Sequence, residues 1–283
     1  DLSADQEDFI REVGALLKEH IEFIGSDLKK DIVLLNRLGL DFKAKYIDLM
    51  IAEYLIDPSK GTYLVADLSS KYLDGPVKNE EDYLGKGKNK KTFINLEEDQ
   101  LREYLENYLN ILEKSQDLLL DEIKEMDMMD LYYSIELPLV EVLASMEIAG
   151  ISIEEERLEE IDGYLVEKIG ELEKNIHSLA GYDFNINSPK QLGEVLFDKL
   201  QLPVIKKTKT GYSTNAEVLD KLQGQHEIID YILDYRSLSK LKSTYVDGLY
   251  PHIDKDKKIR TTFRQNVTAT GRISSTEPNL QNI

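Results

Sequence analysis

The N-terminal third of the chain alternates short apolar runs with segments that are apolar on one face only. Residues 20–24 are typical of a short strand, and one-sided apolar spacing predicts helices over 27–36, 48–56 and 63–73. Residues 75–92 are polar and contain several Gly and Lys, so we predict a loop there. The first part of the chain is therefore expected to combine a strand with several helices.

Helical patterns dominate the middle of the chain. Residues 96–143 keep helical spacing almost without a break, and Pro138 marks a helix start or a kink. Residues 149–153 interrupt this pattern before a helix over 154–179, whose acidic first turn suits the positive end of the helix dipole. Gly181 is expected to end that helix, because Gly readily adopts the left-handed backbone that follows helix C-termini.

Two helix starts in the second half carry capping signals. Ser188 is followed by Pro189 and, three residues on, by Gln191, which predicts a capping box with Pro in the first helical position. Thr214 and Glu217 repeat the same spacing. We therefore expect a helix to begin directly after each of these caps.

The last third of the chain combines a basic loop with a long helix, a strand and a polar run. Residues 203–213 are predicted to form a flexible loop with three Lys and four hydroxyl-bearing residues. Residues 226–250 have helical spacing, and residues 258–264 alternate as a strand does. Residues 268–283 are crowded with hydroxyl and carboxamide groups and bury little apolar surface. This final run is expected to be a surface that contacts another polymer.

Composition limits the protein classes that fit. With 283 residues, 41% of them hydrophobic, the chain is long enough for two domains with separate cores. It has no Cys, which excludes disulfides and thiolate metal sites and favours a cytoplasmic location. No run approaches the roughly 18 apolar residues of a membrane span, so we expect no membrane partner. Because the chain begins at Asp1 rather than Met, we expect a piece of a longer protein.

The net charge of −19 is unevenly distributed along the chain. Residues 203–283 hold 13 Lys and Arg against 9 Asp and Glu, a balance of +4, so the preceding residues carry −23. Binding of a polyanion depends on local basic surface rather than on net charge. The C-terminal third is therefore the candidate binding face.

Three sequence blocks carry a family resemblance: FNINSPKQL at 184–192, YRSLSKLKSTY at 235–245 and TATGRISSTEPNLQNI at 268–283. In this order they resemble successive blocks of the bacterial DNA polymerase I family. The resemblance covers essentially the whole chain. Residues 22–130 are similar to the family's 3′-5′ exonuclease-type domain, residues 137–251 to its helical thumb, and the remainder to its first palm strands.

The resemblance implies a fold class of α/β plus α. We expect a truncated ribonuclease H-like 3′-5′ exonuclease-type domain, followed by a mainly helical polymerase thumb and the first palm strands. The predicted limits are 1–130 for the exonuclease-like domain, truncated at its N-terminus and degenerate, and 131–283 for the polymerase domain. The implied function is DNA-directed DNA synthesis, with primer-template duplex DNA as the partner of a monomeric chain.

A helix face and the basic loop are predicted to contact DNA phosphates. Arg236, Lys240 and Ser243 are spaced by four and three residues, which places them on one face of a helix. Charged and hydroxyl donors of this kind position DNA without discriminating its sequence. On spacing alone, a solvated helix face is an equal alternative. The predicted contacts of this region are Lys207, Thr208, Lys209, Ser213, Arg236, Lys240 and Ser243.

The final run is predicted to contact paired DNA in the minor groove. By resemblance, Arg272 reaches into the groove near the primer end, and its neighbours Asn279, Gln281 and Asn282 contact the duplex; Thr268 belongs to the same set. Amide and guanidinium donors suit this task, because the minor groove presents acceptors at nearly equivalent places in every correct pair. The alternative is a polar loop closed by Glu277 and Pro278.

No catalytic residue of DNA synthesis is predicted within this chain. The family holds two metal ions, expected to be Mg²⁺, between palm carboxylates that clamp the attacking and leaving oxygens. By resemblance these carboxylates and the nucleotide-binding fingers helix lie beyond Ile283. Mg²⁺ and deoxynucleoside triphosphates are therefore expected to bind only to the complete enzyme, and this chain alone is expected not to polymerise.

The exonuclease-type site is predicted to be inactive. The family's active domains use an Asp-x-Glu pair, an Asp in the following helix and an Asp four residues after a Tyr. Asp31 matches the helix position and Tyr104 the Tyr, but Tyr108 stands at the last carboxylate position and the first pair is expected outside the chain. One carboxylate does not hold two divalent ions, so no bound metal is expected. Glu106 is the alternative substitute ligand.

Other readings of the sequence remain open. A stand-alone duplex-DNA-binding module without catalysis fits the same basic face, and an acidic helical scaffold with a protein partner fits the −23 balance before residue 203. The lysines and glycines of residues 85–91 could contact a phosphate, but they lack the spacing of a P-loop. The four His show no metal-ligand spacing and are expected to be structural.

Overall fold

The computed structural model describes four stretches of the chain: residues 4–19, 21–73, 75–209 and 211–281. The helices are α1 Ala4–Leu16, α2 Leu28–Arg37, α3 Leu49–Ile56, α4 Val65–Tyr72, α5 Glu80–Leu84, α6 Glu98–Glu125, α7 Met129–Leu131, α8 Leu137–Ala149, α9 Glu155–Ala180, α10 Pro189–Gly193, α11 Ala216–Leu222 and α12 Ile228–Leu241. The strands are β1 Glu22–Gly25, β2 Lys45–Asp48, β3 Ile151–Ser152, β4 Lys207–Thr208, β5 Gly211–Tyr212, β6 Lys258–Ile259, β7 Thr262–Arg264 and β8 Ser274–Thr276. Among the described residues, every helix is too short or too polar to cross a lipid bilayer.

Packing divides the chain into two compact units. Unit 1 contains the described residues up to Gly150 together with those from Arg260 onward, and unit 2 contains Ile151 to Ile259. Residues 131–150 and the palm-like strands β7 and β8 therefore pack with the N-terminal part. The functional limits 1–130 and 131–283 describe domains by resemblance rather than by packing, and they stay a prediction.

Most predicted elements are present, and the exceptions have local causes. His20, at the start of the predicted first strand, lies outside the described residues, and β1 begins at Glu22. The predicted loop over 75–92 is wrong in part, because α5 begins after Asn79. The Asn79 side chain accepts a hydrogen bond from the Asp82 N–H at 3.2 Å, and the Asp82 carboxylate accepts from the Asn79 N–H at 2.8 Å. This capping box was present in the sequence but was not recognised.

The helical middle is less continuous than predicted. The helix α6 ends at Glu125, and a π-helical segment, Tyr132–Glu136, leads into α8, with Pro138 in the first turn as one of the two predicted alternatives. The predicted strand over 258–264 is divided into β6 and β7, which pair with different partners.

Unit 1 is built around a parallel pair of strands. β1 and β2 are parallel and paired from Glu22–Lys45 to Gly25–Asp48, with α2 as the crossover between them. The core beneath this pair contains fully buried side chains of α3, α6 and the π-helical segment: Leu49, Ile51, Leu119, Ile123 and Tyr132. Burial of each large apolar side chain stabilises the folded state by roughly 1.5–3 kcal/mol relative to leaving that side chain exposed.

A buried carboxylate, that of Asp48 at the end of β2, joins the elements of unit 1. Its oxygens accept hydrogen bonds from the backbone N–H groups of Asp27 at 3.1 Å and Leu28 at 2.8 Å, and it caps α3 through Met50 at 3.0 Å and Ile51 at 3.4 Å. The Tyr132 hydroxyl also contacts the backbone N–H and C=O of Asp48, each at 3.1 Å. Burial raises the pKa of Asp48 to about 6, although the backbone donors oppose that rise.

Unit 2 is a helical assembly with a separate core. Helices α9 and α12 pack lengthwise, and the core includes Ile176, Leu192, Leu196, Leu219 and Ile229, all fully buried. Two short antiparallel pairs, β3–β6 and β4–β5, complete the unit.

The caps of α10 and α11 differ from the predicted boxes. Ser188 caps α10 by accepting from the Gln191 N–H at 3.4 Å, but the Gln191 side chain accepts from the Asn185 N–H at 2.7 Å instead of closing the box. The cap of α11 is Asn215, not Thr214, and it accepts from the Val218 N–H at 3.1 Å.

Thr214 forms hydrogen bonds with the side chain of Arg236, a residue of α12. The half-buried guanidinium donates to the Thr214 carbonyl oxygen and, at 3.4 Å, to its Oγ1 atom. Thr214 is buried, with 5% of its surface exposed, so its carbonyl depends on this internal donor. Burial also lowers the pKa of Arg236. Arg236 therefore fixes the segment between β5 and α11.

We expect Asp48→Asn to destabilise the protein at acidic pH by about 1–3 kcal/mol, because the amide nitrogen cannot accept the backbone N–H groups that either oxygen of a carboxyl group can accept. The folded-state pKa is raised, so the proton-linked part of this group's contribution to stability is complete below 3.8 and is lost as pH rises through about 6, while its hydrogen bonds to backbone N–H groups remain. The difference in the free energy of unfolding between the wild type and Asp48→Asn should therefore shrink over that window. The decrease should be about 1.4 kcal/mol for each unit by which the pKa is raised. Urea unfolding of both proteins across the window measures it; an advantage that grows with pH would contradict the assignment.

We expect Arg236→Ala to lower the free energy of unfolding by about 1–3 kcal/mol, because the buried Thr214 carbonyl loses its donor. Arg236→Lys should restore only part of the loss, since an ammonium lacks the guanidinium fork. Lys240→Ala is the matched control one turn further along the same helix, and it should change stability by less than about 0.5 kcal/mol. Urea unfolding of the three variants decides, and equal losses for Arg236→Ala and Lys240→Ala would refute the internal role.

Candidate nucleic-acid interface

The predicted basic loop of unit 2 is a two-stranded hairpin. β4 and β5 pair Lys207 with Tyr212 and Thr208 with Gly211, and the Thr208 hydroxyl donates to the Gly211 carbonyl at 3.1 Å. Lys207, Thr208 and Lys209 are exposed, and the Lys207 ammonium lies 5.6 Å from the centre of the Tyr212 ring. The hairpin therefore presents two lysines to solvent on an ordered support.

Ser213 follows the hairpin and is placed differently from the other predicted contacts. Only 7% of its surface is exposed, and its backbone N–H donates to the Lys206 carbonyl at 3.0 Å. Its burial gives Ser213 a part in closing the hairpin, and its predicted DNA contact has no support from this geometry.

The predicted helix face is divided into a buried and an exposed part. Lys240 is exposed at the end of α12, and Ser243 is exposed in the π-helical segment Lys242–Asp247, where its hydroxyl donates to the Lys240 carbonyl at 3.2 Å. The structure thus brings Lys240 and Ser243 together at the surface. Arg236 is directed to Thr214, so its contact with DNA stays a prediction, whereas its internal contact is observed.

In unit 1 the polar run forms an antiparallel hairpin. β7 and β8 pair Thr262 with Thr276 and Arg264 with Ser274. The hydroxyl of Thr268 donates to the carbonyl of Arg272 at 2.7 Å and so closes a five-residue turn that contains the exposed Arg272 side chain. Gly271 has a φ of 73° in this turn, which favours Gly. The turn is therefore a defined loop with an exposed guanidinium.

The segment after β8 folds back onto the hairpin. A buried hydroxyl pair, Thr261 and Ser275 at 2.6 Å, lies beneath it, and the Ser275 hydroxyl accepts from the Leu280 N–H at 3.0 Å. Gln281 donates its side-chain amide to the Ile273 carbonyl at 2.8 Å, while Asn279 remains exposed. Arg272 thus lies in the hairpin and Asn279 in the segment that folds back onto it, and the predicted contact Asn282 lies outside the described residues.

Asp31 and Tyr108 line one cleft of unit 1, with a volume of about 960 Å³. Asp31 is exposed within it, and desolvation by the cleft walls, with the charge of Asp27, raises the pKa of its carboxyl. Burial likewise raises the pKa of the Tyr108 hydroxyl. By family resemblance, Asp31 and Tyr108 stand at two ligand positions of one exonuclease-type site, and their location in the same cleft is consistent with that prediction.

Five described carboxylates line this cleft, and they are not arranged as a two-metal site. Glu80 pairs with the Lys90 ammonium at 2.8 Å and Glu81 with the Lys86 ammonium at 2.7 Å. Asp48 directs its oxygens to backbone N–H groups, and Asp27 pairs with the Lys30 ammonium at 2.5 Å. Glu106, the alternative ligand, is exposed on α6 and does not line the cleft. In the part of the chain that the structure describes, no group of three or more His, Cys, Asp or Glu is arranged to hold a metal ion.

Three residues that support the unit 1 hairpin were not found from the sequence. They are Lys29, Tyr54 and Glu147, whose partners lie between 116 and 214 residues away along the chain. Helical spacing predicts burial of such residues but does not identify their partners. Lys29 and Glu147 are unusual as buried charged residues, but their burial is visible only in the structure.

Comparison with known proteins matches both parts of the chain. Residues 155–283 match the family model of DNA polymerase family A, and residues 4–114 match that of the DNA polymerase I, ribonuclease H-like domain. The chain is similar to DNA polymerase I of Geobacillus stearothermophilus, with 44% identity over 258 residues, and to that of Bacillus subtilis (strain 168), with 42% identity over 258 residues. Each alignment covers 91% of this chain and 29% of the relative, so the chain spans less than a third of these relatives.

A solved structure agrees with the sequence matches. The POL domain of Pol1 from M. smegmatis, in complex with a DNA primer-template and dNTP, aligns with a TM-score of 0.78 and 31% identity. The alignment covers 100% of this chain and 46% of that one. The predicted ribonuclease H-like domain and polymerase-type helical part are thereby confirmed. With both family models matched in order and relatives above 40% identity, the chain belongs to the DNA polymerase I family.

Proposed function

We propose that this chain is the part of a DNA polymerase that holds primer-template duplex DNA, and that by itself it neither extends nor trims the DNA. The observation that carries the proposal is the ordered hairpin of unit 1 with the segment that folds back onto it, which hold Arg272 and Asn279 exposed on a polar surface. The solved relative that was bound to primer-template DNA supports it.

The two units offer different kinds of contact. In unit 2, the exposed ammonium groups of Lys207, Lys209 and Lys240 suit phosphates, which contribute affinity without sequence information. In unit 1, the guanidinium of Arg272 and the amide of Asn279 suit the acceptors of the minor groove. Each set of donors would contact a duplex of any sequence, as a polymerase requires.

The exonuclease-like cleft is proposed to be inactive, because the described carboxylates do not fit two metal ions and Tyr108 carries no negative charge at neutral pH. Mg²⁺ and deoxynucleoside triphosphates are proposed as ligands of the complete enzyme. We therefore assign no catalytic step to the residues of this chain.

We expect Arg272→Ala to weaken binding of a primer-template duplex at least about tenfold, because a hydrogen bond from a charged donor contributes roughly 1.5–3 kcal/mol. Lys240→Ala should weaken binding equally for all sequences and reduce the salt slope by about 0.9, the value for one phosphate contact. Fluorescence anisotropy titrations of labelled duplex at several salt concentrations measure both effects.

The matched control for these variants is Lys88→Ala. Lys88 is exposed in the basic segment 85–91 of unit 1, which could also contact a phosphate. Unchanged binding by Lys88→Ala, with losses for the other two variants, supports the assigned contacts. If all three variants bind duplex as the wild type does, the proposed interface is wrong.

With single-stranded DNA and Mg²⁺ or Mn²⁺, we expect the chain to release no nucleotides, since the described carboxylates of the cleft are not arranged to hold two metal ions. Denaturing gel electrophoresis of end-labelled DNA checks this, with an active exonuclease as the positive control. Metal-dependent trimming that disappears in Asp31→Ala would show that the cleft is a functioning exonuclease site.

A further inference from the structure

A buried carboxylate fixes strand β7 to two helices of unit 1. Oε1 of Glu147 accepts from the Phe263 N–H at 2.8 Å and also forms an ion pair with the ammonium of Lys29. The side chains of Lys29 and Glu147 are only 9% and 10% exposed, so neither charge is compensated by bulk water. The palm-like hairpin is therefore bound to α2, a helix of the exonuclease-like segment 4–114, by a fully paired internal charge.

Two further contacts hold β7 on either side of this ion pair. The Arg260 Nε atom donates to the Ile148 carbonyl at 3.2 Å, and the Gln265 side-chain amide donates to the Glu136 carbonyl at 2.9 Å. Gln265 is 6% exposed, and its amide donates to the Glu136 carboxylate as well, so both of its acceptors belong to Glu136. The start of the hairpin thus has little freedom to move relative to α8.

The turn that contains Arg272 is held by a different group, the hydroxyl of Tyr54 on α3. This hydroxyl donates to the Thr268 carbonyl at 2.8 Å, and the Thr268 hydroxyl donates in turn to the Arg272 carbonyl at 2.7 Å. Tyr54 is 3% exposed, and its ring meets that of Tyr63 edge to face, with centroids 5.9 Å apart. A rigid side chain therefore holds both ends of the turn, directly and through Thr268.

We propose that Tyr54 is a positioning residue for Arg272, so that the exonuclease-like segment orients the group that contacts duplex DNA. The inference rests on the proposed function, in which Arg272 meets the duplex. A free loop would lose backbone and side-chain entropy on binding DNA, whereas a loop already held by Tyr54 loses less. The Tyr54 hydroxyl contributes to affinity without touching the DNA.

The test compares Tyr54→Phe with the matched control Tyr63→Phe in the whole chain. Each change removes one buried hydroxyl, but the Tyr63 hydroxyl donates to the Asp57 carbonyl at 2.8 Å and not to the turn. Tyr54→Phe should bind labelled primer-template duplex about three- to tenfold more weakly than the wild type, while Tyr63→Phe binds as the wild type does. Equal effects of the two changes, or no effect of Tyr54→Phe, would overturn the proposal.

A double variant separates positioning from general loss of structure. If Tyr54 acts through Arg272, adding Tyr54→Phe to Arg272→Ala should weaken binding no further, because coupled residues are not additive. A further three- to tenfold loss in the double variant would mean that Tyr54 acts by another route, and the proposal would fail.

A DNA-independent measurement distinguishes failure of this inference from failure of the proposed function. Trypsin cleaves after exposed Arg residues, so its rate of cleavage after Arg272 reports how firmly the turn is held. We expect cleavage several-fold faster in Tyr54→Phe than in the wild type and in Tyr63→Phe. If the wild type does not bind duplex, the proposed function fails. An unchanged cleavage rate in Tyr54→Phe would show independently that the Tyr54 hydroxyl does not hold the turn.

Discussion

The buried carboxylate of Asp48 is the interaction on which the geometry of unit 1 depends. It accepts hydrogen bonds from backbone N–H groups at the start of α2 and in the first turn of α3. The Tyr132 hydroxyl in turn contacts the backbone of Asp48. These segments come from a strand end, two helix starts and a distant π-helical segment, and the Asp48 residue joins them. The carboxylate therefore sets the position of α3, the helix that carries Tyr54.

The same carboxylate lies in the cleft of the ribonuclease H-like part, where it acts on the fold. Four backbone donors occupy the oxygens of Asp48, so this carboxylate stabilises the fold and is not free to bind a cation. Asp31 remains exposed in the cleft, facing a neutral Tyr108. The group that organises the fold is therefore distinct from Asp31, the carboxylate that the family resemblance relates to metal binding.

A structural path leads from this fold to the proposed duplex contact. Asp48 caps α3, Tyr54 of α3 holds the Thr268 carbonyl, and the Thr268 hydroxyl closes the turn that presents Arg272. Glu147 and Lys29 fix the neighbouring strand by a buried ion pair. The exonuclease-like segment is therefore a support for the hairpin, and the proposed contribution to DNA binding follows from that support.

The sequence predicted local features well and distant ones poorly. Ser188 as a cap follows from spacing within one turn, and the two-part fold follows from motifs that resemble a known family. Thr214 was the wrong cap because Arg236, 22 residues away, bonds its carbonyl and Asn215 takes its place. Tyr54 could not be predicted at all, since its partner is 214 residues distant and helical spacing shows only that its ring is buried.

Hydrogen–deuterium exchange of the whole chain, with and without primer-template duplex, tests the central claim most directly. The account predicts slower exchange on binding in the hairpin around 206–213 and in residues 268–281, because donors there engage the duplex. Backbone amides lining the cleft near Asp31 and Tyr108 should exchange at unchanged rates. Protection confined to the cleft, with both hairpins unaffected, would contradict the account and place the nucleic-acid site in the exonuclease-like segment itself.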